Sequence, residues 1–450
     1  MNALIRLSLP LVLSQLVTMA LVMTDVWMMS LLGTTELAAG GLGASVYTFV
    51  FLLAGSTVGC AANLIAIAYG ERQHSPEAGD RKIRETIKGG LMLSLLLSVL
   101  LTLSFSLAPD ALALAAQPQA AIELAMIYLD PLKWAMLPAL LLLVLRGLTS
   151  AFGDTRSVLL MSLATVFLNV PISFVLAFGL DWGLAGLGAG TALSTWLVLT
   201  GYALWVFARP RYRLYGPWRH WNEYRPAAML PLLAMGLPIA LAAALELSLI
   251  YGGTLMAGTI SIAALALHQI LLQCLSFTWN ISFGISQAAA ILVGRDHGAG
   301  HRPGILAWSR HSLVLISAVS ALLALLFVAW PEGIAALFNL DDGQGGSLTP
   351  LLASVIWVAA LCFVVDAWQL LAINLLRGMK IVNSPTVLTA IGYWCVGLPV
   401  AWLLLPSLEL VGIWLGIAAG LGATALLLLM QLLWVLSRRH PSSPVTPALA

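Results

Sequence analysis

Four carboxylates stand inside stretches that are otherwise apolar enough to cross a bilayer: Asp25, Asp130, Glu246 and Asp366. Asp25 sits in LSLPLVLSQLVTMALVMTDVWMMS, residues 7–30, with no basic residue in the run to pair with it. Glu246 is the lone acid of GLPIALAAALELSLIYGGTLM, residues 236–256, where Pro238 stands as Pro10 does in the first run. A bare carboxylate in hydrocarbon costs about 2.5–3.5 kcal/mol on insertion scales, so it is expected to face a cavity or a partner. Asp25 lies about seven residues, or roughly 10 Å, below the outer end of its helix. Glu246 and Asp366 lie about eleven residues, or roughly 16 Å, inside theirs. In a core about 30 Å thick that places both near the midplane, where they converge in the second half of the chain. Two carboxylates at one depth in low dielectric cannot both stay charged without a cation, so the pair reads as a receptor for a proton or for Na+. The plainer reading of each is a buried acid satisfied by hydroxyls and backbone.

The remaining polar groups at depth have weaker signatures. Asp130 and Lys133 are three apart on the fourth helix and can form a neutral buried ion pair. His268 has the chemistry of a proton shuttle near pH 7, although a lone histidine near a helix start more often serves a hydrogen bond. Gln269, Gln273, Asn280 and Gln287 on the eighth helix give a polar lining for a substrate cavity, as does Asn169 on the fifth. Such amides also glue helices together. The motifs G-x-x-x-x-G-K-[ST], H-E-x-x-H and G-x-S-x-G are absent, so no nucleotide, zinc or acyl-transfer chemistry is expected. The chain reads as no enzyme and needs no cofactor; its energy comes from an ion gradient or a partner.

The elements that hold these groups follow from composition. The 450 residues are 60% hydrophobic and 9% charged, about half the charge of an average soluble protein, and the mean hydropathy is +0.97. The expectation is an all-α integral membrane protein with about twelve transmembrane helices, since about twenty apolar residues cross the core. A β-barrel would show short alternating segments, and these runs are continuous. Arg6, the cluster from Arg72 to Lys88, Arg146 and Arg156, the arginines from Arg209 to Arg225, Arg295 to Arg310, Arg377 with Lys380, and Arg438 with Arg439 fall at every second loop. The alternate loops carry only acids, at Asp110, Asp181, Glu332, Asp341, Asp342 and Glu409, and Lys133 is the one base outside the scheme. The positive-inside rule then places both termini in the cytoplasm of a bacterium, with the chain in its inner membrane. Cys60, Cys274, Cys362 and Cys395 fall within spans and read as free apolar thiols.

The two halves repeat at an offset near 225 residues. STVGCAANLIAIAYG aligns with SFGISQAAAILVG, LRGLTSAFGDTRSVLL with LRGMKIVNSPTVLT, and Pro171 with Pro399. Six spans per half give both the same orientation, so the expectation is two six-helix bundles related by a pseudo-two-fold axis along the membrane normal. Residues 1–208 form the first bundle, 209–226 a cytoplasmic connector, 227–437 the second bundle and 438–450 a cytoplasmic tail. The connector, RPRYRLYGPWRHWNEYRP, is basic, aromatic and bracketed by prolines, and reads as a helix lying on the inner leaflet rather than as a nucleic-acid site. Repeated bundles leave a cleft between them, and rocking about it is the natural basis of alternating access.

Several stretches resemble the multidrug and toxic compound extrusion (MATE) family, in order and in both halves. They are Pro10 with Asp25 and the following GTTELAAGGLG, LRGLTSAFGDTR, LNVP at 168–171, Pro238 with Glu246, and VDAWQLLAINLLRGMK at 365–380. Glu246 and the run in the tenth span look most like the NorM-type branch. The resemblance implies a sodium or proton site at Glu246 and Asp366, and a second cation site at Asp25 with Asn169. Ser173 stands where family members often carry a second amide or acid, and the Asp130–Lys133 pair matches no family motif. The function implied is a monomeric antiporter that exports organic, cationic and amphipathic compounds such as drugs against protons or sodium. The rival readings are a flippase for a lipid-linked substrate of the same superfamily, which would line its cavity with several bases, and an intramembrane enzyme, for which the acids are too scattered.

Overall fold

The computed structural model describes residues 1–115, 117–338 and 348–437. The tail at 438–450 and the acids Asp341 and Asp342 lie outside the described residues. The apolar runs fold as long helices: α1 Asn2–Leu32, α2 Thr34–Glu71, α3 Pro76–Leu114, α4 Gln119–Ala151, α5 Thr155–Gly179 and α6 Gly183–Ala208. After the connector come α7 Pro226–Ile260, α8 Ile262–Gly298, α9 Arg302–Ala329 and α10 Thr349–Gly378. The last apolar segment, Asn383–Ser437, is 55 residues long, and at 1.5 Å per residue a straight helix of that length would measure about 80 Å, far more than one crossing. It turns at Glu409, whose φ of 48° and ψ of −124° are not helical, and so makes two spans, α11 (383–408) and α12 (410–437). With that division the described residues hold twelve apolar spans, as expected.

Prolines shape these helices. Pro10 lies inside α1 and Pro238 inside α7, and each deletes a backbone donor from its helix. Pro399 withholds the amide that the Cys395 carbonyl would normally receive. The preceding turn, Ile391–Gly397, is correspondingly a π-helix, a form that often marks functional sites.

The apolar cores show how the halves meet. One cluster fuses them: it contains Leu4, Leu11, Val58 and Ile65 from the first half and Leu232, Ala288, Leu371 and Leu428 from the second. These residues lie toward the helix ends that carry the arginine-rich loops, called the basic end below. Toward the other end the core divides, with Met28, Tyr128 and Leu187 in a cluster of first-half residues and Leu249, Leu267, Phe363 and Trp414 in a cluster of second-half residues. A core that is single at one end and double at the other encloses a V-shaped cleft. At its vertex α1 packs on α8, α2 on α7, and the last turns of α2 cross α8.

The connector differs from the single surface helix expected. Prolines 210, 217 and 226 divide it; it forms short 3-10 turns at Arg213–Tyr215 and Trp221–Glu223, and a third at Pro226–Met229 opens α7. It is fastened to the first half. Arg84 grips Glu223 at 2.8–3.1 Å, and buried Lys88 donates to Glu223 at 2.8 Å and to the His220 carbonyl at 2.6 Å. Tyr215 donates to Asp80, and Arg209 bridges to Asp154 at 2.8 Å.

Candidate functional site

In the second half, Asp366 (3% exposed) on α10 and half-buried Glu246 on α7 are within electrostatic reach of each other. Trp279 of α8 is within hydrogen-bonding reach of Glu246. Gln369, one turn beyond Asp366, donates its amide to the Tyr393 hydroxyl, and its own carbonyl oxygen is left buried without a partner. Tyr393 is fully buried and is carried by the π-helical turn of α11. Arg377 completes the group: its guanidinium lies within electrostatic reach of Glu246, Tyr393 and, across the junction between halves, Cys60.

Arg377 departs from its expected place. Read as part of the basic loop pattern, it belongs at the water-facing end of α10; its side chain instead turns inward toward Glu246. Long basic side chains have the reach to do this. Gln369 and Tyr393 were also missed. The repeat held a signal for Arg377, because LRG at 145–147 and LRG at 376–378 place Arg146 and Arg377 at equivalent positions.

The first half holds a second polar group. Ser14 of α1 and Ser162 of α5 share a 2.6 Å hydrogen bond, and Asp25 and Ser173 lie the same number of residues further along these parallel helices. They are thus at similar depth, with Asn169 one turn nearer the basic end. Asn169 donates to Thr191 at 3.0 Å and to Ser194 at 3.4 Å. Asp25 Oδ1, Asn169 Oδ1 and Ser173 Oγ are all buried without a partner. Among the described residues no hydrogen bond joins Asp25 to Asn169. Tyr128 of α4 lies within electrostatic reach of both Asp25 and Tyr47 of α2.

The other candidates scatter. On α8, Gln269, Gln273, Asn280 and Gln287 recur at spacings of four, seven and seven, which puts them on one face with Gly284, the residue that meets Val12 of α1. Gln269 and Gln273 are exposed on that face beyond the vertex, and Asn280 bonds back to the Ser276 carbonyl at 2.8 Å. Gln287 does not line open space: its oxygen accepts from Arg146 Nη2 at 3.0 Å, and the same nitrogen donates to Gln15 of α1 at 3.2 Å. His268 is fully buried in the second-half core, 3.2 Å from Thr254 Oγ1 and edge-on to Trp414. It faces packed helices because it lies one residue off the polar face. Asp130 and Lys133 do pair, at 2.8 Å, but with side chains 57% and 26% exposed; this is a surface ion pair where α4 tightens to a 3-10 turn, not a buried one. Among the described residues no cluster of three or more His, Cys, Asp or Glu is arranged to hold a metal ion. A cation at Glu246 and Asp366 would need the Gln369 and Tyr393 oxygens as well.

Comparison with known proteins adds a family. The MatE family model matches residues 10–175 and again 238–403, once in each half. The chain is 34% identical over 440 residues to a probable multidrug resistance protein NorM of Mesorhizobium japonicum, covering 96% of this chain and 93% of that one. A protein of the same name from Pseudomonas putida is 31% identical, with 97% and 95% covered. Among solved structures, a MATE in complex with MaL6 superposes with a TM-score of 0.87 at 20% identity, covering 97% of this chain and 96% of that one. An outward-facing multidrug resistance MATE family transporter of the MOP superfamily gives 0.86 at 19%, with 97% and 95% covered.

Proposed function

The chain belongs to the MATE family of membrane transporters, and from that premise we propose that it is an antiporter expelling cationic, amphipathic organic compounds, drugs among them, in exchange for protons or sodium. One observation carries the reading. Glu246 is within electrostatic reach of both buried Asp366 and Arg377, so two neighbouring carboxylates are served by one guanidinium. With both acids ionised the cluster is one negative charge over, and a single proton or sodium ion neutralises it. Gln369 Oε1 and the Tyr393 hydroxyl add neutral oxygens of the kind sodium prefers. A cationic guest competes for the same charge, so binding of the ion displaces it. Asp25, with the unpartnered oxygens of Asn169 and Ser173, is a second acceptor of the same kind in the first half.

The moving bodies in this reading are residues 1–208 and 227–437, with the connector riding on the first. The basic end is cytoplasmic by the positive-inside rule, as are both termini, and the sealed vertex then lies on that side. The cleft opens outward, with Gln269 and Gln273 on its wall, and rocking about the vertex exposes it inward. The relatives named for multidrug resistance support drugs as cargo.

Proteoliposomes with imposed proton and sodium gradients test this. Glu246→Gln and Asp366→Asn each abolish gradient-driven ethidium efflux while the protein remains folded and inserted, and the gradient that drives the wild type names the ion. Undiminished efflux by both variants removes the proposal.

A further inference from the structure

On the flank of the first half, away from the cluster around Glu246, helices α3, α4 and α6 leave an apolar groove of about 270 Å³. Ile87 and Leu91 line it from α3, Leu141 and Leu145 from α4, and α6 contributes from Leu199 to Phe207. That stretch of α6 is about 12 Å long, close to the depth of one leaflet's hydrocarbon. Pro217 of the connector lies at its basic end. The groove therefore runs parallel to the helices within one leaflet and ends at the level of the headgroups.

The connector supplies what surrounds that end. Glu223, bound by Arg84 and Lys88, holds it in place. Trp218, more than half exposed, packs edge-on against groove-lining Phe207 with ring centroids 5.3 Å apart. Arg209 is engaged by Asp154, and Arg211 donates to the Phe152 carbonyl. Arg213 and Arg219 are exposed and form no salt bridge among the described residues. An apolar slot one leaflet deep, with an interfacial tryptophan and two uncommitted guanidinium groups on the segment over its end, matches a single molecule: a lipid with an apolar chain and a phosphate. Guanidinium groups engage phosphate through paired hydrogen bonds, which a zwitterionic headgroup partly masks.

We propose that the groove between α3, α4 and α6 binds an acyl chain of an anionic phospholipid, with its phosphate held by Arg213 and Arg219. The lipid ties the connector to the first half from outside, as Glu223 does from within. It is neither cargo nor coupling ion.

Thermal unfolding of the purified transporter in neutral detergent tests this, with phosphatidylglycerol, phosphatidylcholine of the same chains, or inorganic phosphate added. Phosphatidylglycerol raises the midpoint by several degrees more than phosphatidylcholine, and inorganic phosphate does not. The Arg213→Gln/Arg219→Gln double variant loses the excess, and Ala203→Phe, which fills the groove, loses the response to both lipids. Both arginines are at the surface, so the double variant decides alone if Ala203→Phe does not fold. Equal shifts from the two lipids, the same shift from inorganic phosphate, or an undiminished excess in the double variant overturns the proposal.

Discussion

Gly70 near the end of α2 and Gly298 at the end of α8 lie 228 positions apart, and each rests on the other's helix. A Cβ on Gly70 would overlap the Arg295 carbonyl, and a Cβ on Gly298 would overlap the carbonyl of Ile67, which is itself 228 positions before Arg295. This reciprocal crossing is the pseudo-two-fold relation at atomic scale, and it brings two backbones into contact at the basic end. No other residue allows it, because any side chain would meet a neighbour's backbone rather than a flexible tip.

Gly70→Ala and Gly298→Ala therefore hold the basic ends apart. Overpacking of this kind costs about 1–3 kcal/mol, which shifts the balance between the two cleft states by about 5- to 150-fold. Labelling of a cysteine introduced on the basic side of the vertex will rise in both variants, and efflux will fall. If labelling is unchanged in both, the crossing is not what seals that end.

Arg146 adds a polar seal at the same vertex. It joins α4 to α1 through Gln15 and to α8 through Gln287, so separating the halves breaks a hydrogen bond to a charged donor, worth about 1.5–3 kcal/mol. Gln287→Leu will favour the state open at the basic end. Distances between spin labels at the two ends of the cleft read the change directly; a wild-type distribution in Gln287→Leu counts against it.

The fold was legible because it is written in composition and repetition: apolar runs of the right length, prolines at matching places and loops alternating in charge. The depth of Glu246 and Asp366 was legible because each stands well inside a long apolar run. Arg377 and Lys88 were not. Loop charge locates the end of a helix but not the direction in which a long basic side chain points, and both turn inward to carboxylates from other segments. Gln287 and His268 both belong to α8 yet face different surroundings, the first the Arg146 side chain at the contact with α1 and the second Trp414 of α12.

Glu223 gives a prediction about pH. Burial alone would raise its carboxyl, but the hydrogen bonds and charges of Arg84 and Lys88 bring it below the usual value. An acid whose folded value is depressed stabilises fully above its unfolded value, about 4.3, and loses that contribution as pH falls through the lower folded value. Glu223→Gln leaves Lys88 buried without its carboxylate, at a cost of about 3 kcal/mol. Hydrogen-exchange protection in the connector, relative to the intrinsic rate at each pH, will fall in the wild type below about pH 4, and in Glu223→Gln already at neutral pH. Equal protection in the two proteins at pH 7 rejects the fastening.

Arg377 tests the charge count itself. In the wild-type cluster one guanidinium offsets one of two carboxylates, so one monovalent cation completes neutrality. Arg377→Gln leaves two negative charges, and the remaining pair binds cations more tightly and releases them more slowly. At an effective dielectric of about 20 the loss of one such charge interaction is on the order of 1–2 kcal/mol, or roughly tenfold in ion affinity. The concentration of driving ion giving half-maximal efflux will fall, and so will the maximal rate. Arg377→Lys keeps the charge on a side chain of similar length, and its ion dependence will stay near wild type even where packing suffers. The contrast between the two variants is the decisive measurement. If both shift alike, the arginine acts through packing, and one cation per cluster loses its basis.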